Sequence, residues 1–417
     1  MNLRFILLIF TIFQTFNMSV FSQGDTIWLG RSSGLQLSGF ARVDYLFDSR
    51  QTFEAVEGLF TFYPLKKEPD AYGKDINATP KANFISVASR LTSRFFAPDI
   101  FNAKSSGYVE FDFTGTSNTN GVRLRQAYIN FAWERSNLLM GRAWHPLSIS
   151  CMPTVVALNT GAPFWAFNRS DQIRFDYNPT NGLLSAAAVF QSDYASLGPA
   201  DPSKSSNYMR NALLPELTAH IAYRTPTFQI GAAGSAKTIK PRLFTTNSIG
   251  DIHKTNEKLT TYVAQAYTQF RKDDFTLKAQ VSYAQNATES LMLGGYAVRA
   301  INPDTGHEKY TPTQHMNYWV NAYYGKVWQV GLFVGYLKSL GTLENVTGAW
   351  YARAHDIKYM YRISPHLMYN MNNLQFAAEI EYTAAAYGEV QINEKSKITG
   401  ASEVANLRAS LLVCFYF

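Results

Sequence analysis

The chain has little cysteine, little charge and no long apolar run past its first residues, and each shortage removes a class of protein. Two cysteines in 417 residues cannot build a disulfide scaffold. Charged residues make up 17% of the chain, well under the roughly 25% of soluble domains. Beyond the N-terminus no apolar stretch approaches the ~20 residues of a spanning helix, and the mean hydropathy is −0.16. A bundle of membrane helices is excluded. Metal and enzyme chemistry is equally thin. His145, His220, His253, His307, His315, His355 and His366 form neither HxxxH nor HExxH, and neither cysteine sits in CxxC, so no metal is expected. The chain has no GxSxG elbow and no glycine loop to cradle a phosphate. No cofactor and no enzymatic activity are expected, and His220 and His315 read as polar wall residues.

What is present is apolar and aromatic content, 46% and 15% of the chain, too much for disorder. The chain opens MNLRFILLIFTIFQTFNMSVFSQG. Arg4, the apolar run Phe5–Phe13 and the small Ser22 before Gln23 predict a secretory signal over residues 1–22. No cysteine follows the cut, so no lipid anchor is expected. Cleavage removes one arginine and no acid, taking the net charge from +7 to +6. Residues 23–417 show no linker and read as a single domain.

That domain alternates with a period of two. At its end Leu407, Ala409, Leu411, Val413, Phe415 and Phe417 share one parity, and Arg408, Ser410, Leu412, Cys414 and Tyr416 share the other. Alternate residues of a strand lie on opposite sheet faces. Near the start, Gln36, Ser38, Arg42 and Asp44 alternate with apolar or small residues. Soluble sandwiches alternate too, but their strands average about five or six residues. Segments here reach about ten, the length of a tilted strand crossing a bilayer. They fall at 35–45, 83–95, 107–115, 122–133, 138–146, 171–178, 183–193, 215–225, 228–238, 259–271, 275–285, 315–325, 328–338, 355–370, 374–383 and 407–417. The prediction is an all-β fold, a transmembrane antiparallel β-barrel of about 16 strands.

Connections alternate in length, as expected for short periplasmic turns and long external loops. Short ones include 134–137, 179–182, 225–227, 272–274 and 371–373. Long ones are 49–81, 147–170, 194–213, 239–258, 286–313, 339–354 and 384–402. Two places break the pattern: 96–106 is long for a turn, and Pro365 interrupts a strand, predicting a bulge or a membrane-boundary position. Cys151, in a long loop, and Cys414, deep in the last strand, are expected to stay unpaired. Phe60, Phe62 and Tyr63 are expected as exposed loop aromatics.

Arginine is the one chemical feature above background. Arg42 and Asp44 lie on the inward parity of the first strand. Arg90 and Arg94 stand opposite Ile85, Val87 and Leu91, and Arg174 opposite Ile173 and Phe175. Arg123 and Arg125 share a side, although Ile129 and Phe131 fall on the same parity. Arg142 follows Gly141. Two readings stand together: a positive pore wall, or a structural ladder in which Asp44, Glu110, Asp112 and Asp176 pair with the arginines. Nucleic-acid binding is not expected, because such arginines would face a lumen.

The stretch VRLRQAYINFAWERSNLLMGRAWHPLSI resembles the Gram-negative porins. There a strand of this type is followed by a turn, then by a strand ending in glycine, Arg or Gln, any residue, and Trp or Gln, and then by the constriction loop. The terminal Phe417 resembles the C-terminal signal of outer-membrane barrels. The similarity is nearest to porin-like proteins of Bacteroidetes and more distant to DcaP-like trimeric porins. It implies an outer-membrane homotrimer whose third loop folds into the lumen, and its constriction arginines match Arg123, Arg125 and Arg142. Arg142 stands where glutamine often follows the glycine. The loop itself, rich in proline and aromatics, carries Pro146, Asn159, Phe164, Trp165 and Arg169. The functional expectation is a passive channel for small hydrophilic solutes, favouring anions, with outer-membrane lipid as its surroundings. The alternatives are a binding or structural barrel with a closed lumen, or a barrel enzyme of phospholipase or protease type.

Overall fold

The computed structural model describes residues 26–28, 33–115, 121–157, 161–192, 195–200 and 204–417. The expected export signal, residues 1–22, lies outside them. Sixteen long strands form one closed antiparallel barrel. They are β1 (Gly34–Asp48), β2 (Arg90–Ile100), β3 (Ala103–Asp112), β4 (Arg123–Ala132), β5 (Ser136–Trp144), β6 (Arg169–Tyr177), β7 (Gly182–Ser192) and β8 (Glu216–Arg224). The second half comprises β9 (Phe228–Ile239), β10 (Leu259–Lys272), β11 (Phe275–Gln285), β12 (Glu308–Tyr324), β13 (Trp328–Thr342), β14 (Ile357–Met371), β15 (Leu374–Gln391) and β16 (Lys397–Tyr416). Each pairs with its sequence neighbour, and β16 closes on β1 from Phe40↔Tyr416 to Asp48↔Arg408. The last residue takes part: the Gly39 and Phe417 N–H groups each donate to the other's carbonyl, at 2.9 and 3.1 Å. Closure leaves no sheet edge, the condition for strands to cross lipid.

The alternation becomes two faces. Leu411, Val413 and Phe415 are exposed on the outer face of β16, while Arg408, Ser410, Leu412 and Cys414 are buried. Near the short turns Tyr223, Tyr324, Trp328 and Phe376 are exposed and form part of an aromatic girdle, with the Trp328 and Tyr369 rings 4.4 Å apart.

Several expectations need correction. Residues 96–106 are no long turn: β2 and β3 run on to a two-residue hairpin at Phe101 and Asn102, both with positive φ. The segment 83–95 is broken. Lys81–Ile85 pairs with Asp44–Asp48, and β2 proper pairs with Gly34–Phe40. In the gap the Arg42 N–H donates to Ser89 Oγ at 3.0 Å. Ile85 therefore lies opposite Asp44 and is buried with the lumen core, not on the outer face. Residues 384–402 are no loop, because β15 and β16 continue to pair from Ala384↔Ala405 to Gln391↔Lys397. Their alternation fades in sequence because Ala384, Ala385 and Ala386 are all wholly buried. Pro365 makes no bulge: the β14–β15 register is the same at Ile363↔Tyr382 and His366↔Glu379. Outside the barrel, Gly294–Ile301 pairs with the start of β12 and with Trp350–Arg353 in a small external sheet.

The core sits inside the barrel. Its largest cluster joins loop aromatics Phe60, Phe62, Phe164, Trp165 and Phe167 to the wall residues Trp319, Phe333, Leu337 and Met360. A barrel this wide is not filled by its own inward side chains. Here loops fill it.

Candidate functional site

The third external loop, between β5 and β6, turns inward at His145. A helical turn, Pro146–Ile149, is capped by His145, whose Nδ1 accepts from the Leu147 N–H at 3.2 Å. Gln265 on β10 donates to Leu147 O at 2.9 Å and also bonds Ser150 Oγ. The loop then crosses the lumen. Lys278 on β11 donates to Met152 O and Thr154 Oγ1, both at 2.9 Å. Asn321 on β12 grips Thr154 twice, accepting from its N–H at 2.7 Å and donating to its carbonyl at 3.0 Å. On the far side the Glu379 carboxylate accepts from the Val156 and Ala157 N–H groups, at 3.0 and 3.4 Å. Arg42 on β1 donates to Val156 O at 3.3 Å. The returning limb seats Phe164 against Gly335 of β13, where an added Cβ would come within 2.6 Å of the ring. Arg362 lies 5.6 Å from that ring's centroid. Trp165 packs with Trp144 and Phe167 and donates to Ser148 O at 3.1 Å. Polar wall groups thus satisfy loop backbone that would otherwise be buried unpaired.

The structure gathers Pro146, Phe164 and Trp165 in this inward loop. Arg169 is not in it: it is the first residue of β6, wholly buried, 5.0 Å from the Trp144 ring centroid. Asn159 lies outside the described residues. Both cysteines are free and buried, and burial pushes the Cys151 thiol up to about 12.

Most of these arginines pair with carboxylates in a ladder. Arg42 clasps Asp44 two residues on, at 2.6 Å. Arg125 bonds Glu110 at 2.8 Å and Asp112 at 2.5 Å, Arg123 bonds Asp112 at 2.8 Å, and Arg90 reaches Glu110 at 3.5 Å. Arg174 pairs with Asp176 at 3.2 Å, and Arg142 with Asp171 directly across the ladder at 2.8 Å. Arg94 stands over the Tyr108 ring at 5.9 Å, beside the stacked Tyr108–Tyr128 pair. Three cations, Arg90, Arg123 and Arg125, therefore surround two carboxylates. A β-bulge resolves the parity conflict of β4. Glu110 pairs with Gln126 but Phe111 with Leu124, so Arg125 is the extra residue. The bulge switches parity, which places Arg123 and Arg125 on the side of Asp112 and Glu110 and leaves Ile129 outside, 52% exposed. His220 and His315 are buried, the former 2.7 Å from the Tyr267 hydroxyl.

Two features escaped the sequence reading. One is the gripping set Gln265, Lys278, Asn321, Arg362, Glu379 and Arg408. Strand parity extended to β14 and β15 would have marked Arg362 and Glu379 as inward charges, as it set Arg408 on the side away from the apolar residues of the last strand. The other is the first external loop. Phe60, Phe62 and Tyr63 are buried, not exposed. Its hairpin, Thr52–Ala55 with Phe60–Pro64, folds into the lumen, and Phe60 meets Phe167 edge-on at 5.2 Å.

A closed 16-stranded barrel with its third loop in the lumen has the fold of the outer-membrane porins. No family model matches the chain, and no curated protein matches its sequence. Among solved structures it is similar to the outer membrane channel DcaP of Acinetobacter baumannii, at a TM-score of 0.66 and 17% identity over 95% of this chain and 100% of that one. It is also similar to outer-membrane expressed OmpT of Vibrio cholerae, at 0.55 and 11% identity over 94% of this chain and 100% of that one. A third, the anion-selective porin from Comamonas acidovorans, gives 0.55 and 10% identity over 92% and 100%. At these identities the likeness is one of fold.

Proposed function

We propose that the protein is an outer-membrane porin, a passive channel for small hydrophilic solutes that favours anions, exported by residues 1–22 and assembled as a homotrimer. The observation that carries this reading is the lumen wall: acidic and basic side chains face inward on most strands, from Arg42 and Asp44 on β1 to Glu379 and Glu381 on β15 and Arg408 on β16, which suits water and solutes rather than lipid. Anion preference rests on the three guanidiniums around Glu110 and Asp112. Charged rings at a narrow point set the potential that a permeating ion meets, and low-dielectric walls focus it. The fold likeness to the anion-selective porin from Comamonas acidovorans supports the same direction. A trimer form of Vibrio cholerae OmpT shares the fold too. The ion pairs weaken the effect, so a moderate rather than a strict preference is expected. The test is the zero-current potential of the purified protein in a planar bilayer across a KCl gradient. A sign favouring potassium at low salt refutes the anion reading.

One observation favours a second reading, a closed barrel that binds or scaffolds: two loops, not one, enter the lumen. Single-channel conductance separates the two, since a closed scaffold passes no current.

A further inference from the structure

The constriction expected of the third loop has a partner. The hairpin Thr52–Pro64 lies beside it in the lumen, with Leu59, Phe60 and Phe62 almost wholly buried. Its strands pair only with each other: among the described residues neither is bonded into the barrel ladder. Side chains from the wall hold it instead. Arg408 of β16 donates to Gly58 O, and the Tyr387 hydroxyl of β15 donates to Pro64 O at 2.6 Å. Arg362 of β14 is wholly buried and holds both loops. Its Nη1 donates to Ala162 O of the third loop at 2.8 Å and its Nη2 to Thr61 O of the hairpin at 3.0 Å. Glu381 and Thr383 fix the same guanidinium, at 3.1 and 2.9 Å.

We propose that the hairpin Thr52–Pro64 is a second barrier that sets the channel's size limit, with Arg362 as the residue that positions it against the third loop. This rests on the channel reading above. Two consequences follow from the geometry. The hairpin can leave the lumen without breaking a ladder bond of the barrel, because among the described residues its two strands pair only with each other. The planar fork of arginine donates in two directions at once, which is what bridging two loop carbonyls requires, and a lysine ammonium on a single stem does not reproduce it.

The experiment compares six refolded proteins in planar bilayers and in sugar-loaded liposomes: wild type, a variant with residues 53–63 replaced by a short Gly-Ser linker, a variant with residues 152–157 so replaced, both replacements together, Arg362→Lys and Arg362→Gln. Heat-modified gel migration checks that each barrel has formed. The hairpin variant is expected to raise single-channel conductance at least two-fold and to admit larger sugars than wild type, with the third loop intact. Arg362→Lys, which keeps the charge, is expected to move conductance the same way as Arg362→Gln. If the hairpin variant conducts as wild type while the third-loop variant conducts more, the second barrier is refuted and the channel reading stands. If Arg362→Lys behaves as wild type, charge and not the bridging fork is what matters, and the positioning role falls. If none of the six conducts, the channel reading fails and the proposal with it.

Discussion

Phe164→Ala tests how the third loop is held. The ring is wholly buried, seated on Gly335, 6.3 Å from the Phe333 ring and 5.6 Å from the Arg362 guanidinium. Removing a buried Phe costs about 3–5 kcal/mol when the site cannot collapse, and each 1.4 kcal/mol is a factor of ten in a population. The returning limb should therefore detach about 10²- to 4 × 10³-fold more often. The crossing limb stays tied at Thr154 by Asn321 and at Val156 and Ala157 by Glu379, so the loop loosens without leaving the lumen. Open-channel current noise in a planar bilayer should rise and mean conductance should increase modestly. Heat-modified migration should not change, because no ladder bond is touched. Gly335→Leu reaches the same end from the other side, since its Cβ alone would come within 2.6 Å of the Phe164 ring. Unchanged noise and conductance in both variants, with normal heat modification, would refute the anchoring argument.

Arg123→Gln with Arg125→Gln leaves the Glu110 and Asp112 carboxylates without their closest cations, and the zero-current potential in a KCl gradient should move towards potassium. The shift should shrink as salt rises, since the Debye length falls from about 10 Å at 0.1 M to about 3 Å at 1 M. Glu110→Gln does the reverse: it strips the shared carboxylate from Arg90 and Arg125, so anion preference should rise. Breaking a buried pair costs about 3–5 kcal/mol, which should also lower the heat-modification temperature. Cys151 is wholly buried and its thiol is pushed up to about 12, so it is a neutral thiol at pH 7.5. A soluble maleimide should label it only after boiling in detergent, and rapid labelling of the folded protein would contradict the loop's packing.

Local pattern alone determined the barrel. Strand number, alternating faces and most of the short turns follow from a period of two, because lipid outside and polar groups inside print their difference on every second residue. The inward arginines and their acidic partners were legible for the same reason. Tertiary structure decided what no period encodes. The bulge at Arg125 shifts a whole strand's parity by one residue, and only the pairing of Glu110 with Gln126 reveals it. The long β15–β16 hairpin was hidden because alanines buried on every side carry no alternation. The first loop's Phe60, Phe62 and Tyr63 had the composition of an exposed loop. Their burial depends on Arg362, Tyr387 and Arg408, which stand about 300 to 350 residues further along the chain and meet them only when the barrel closes. A sequence shows which faces a strand presents, whereas the contents of the lumen depend on which distant strands the closed barrel brings together.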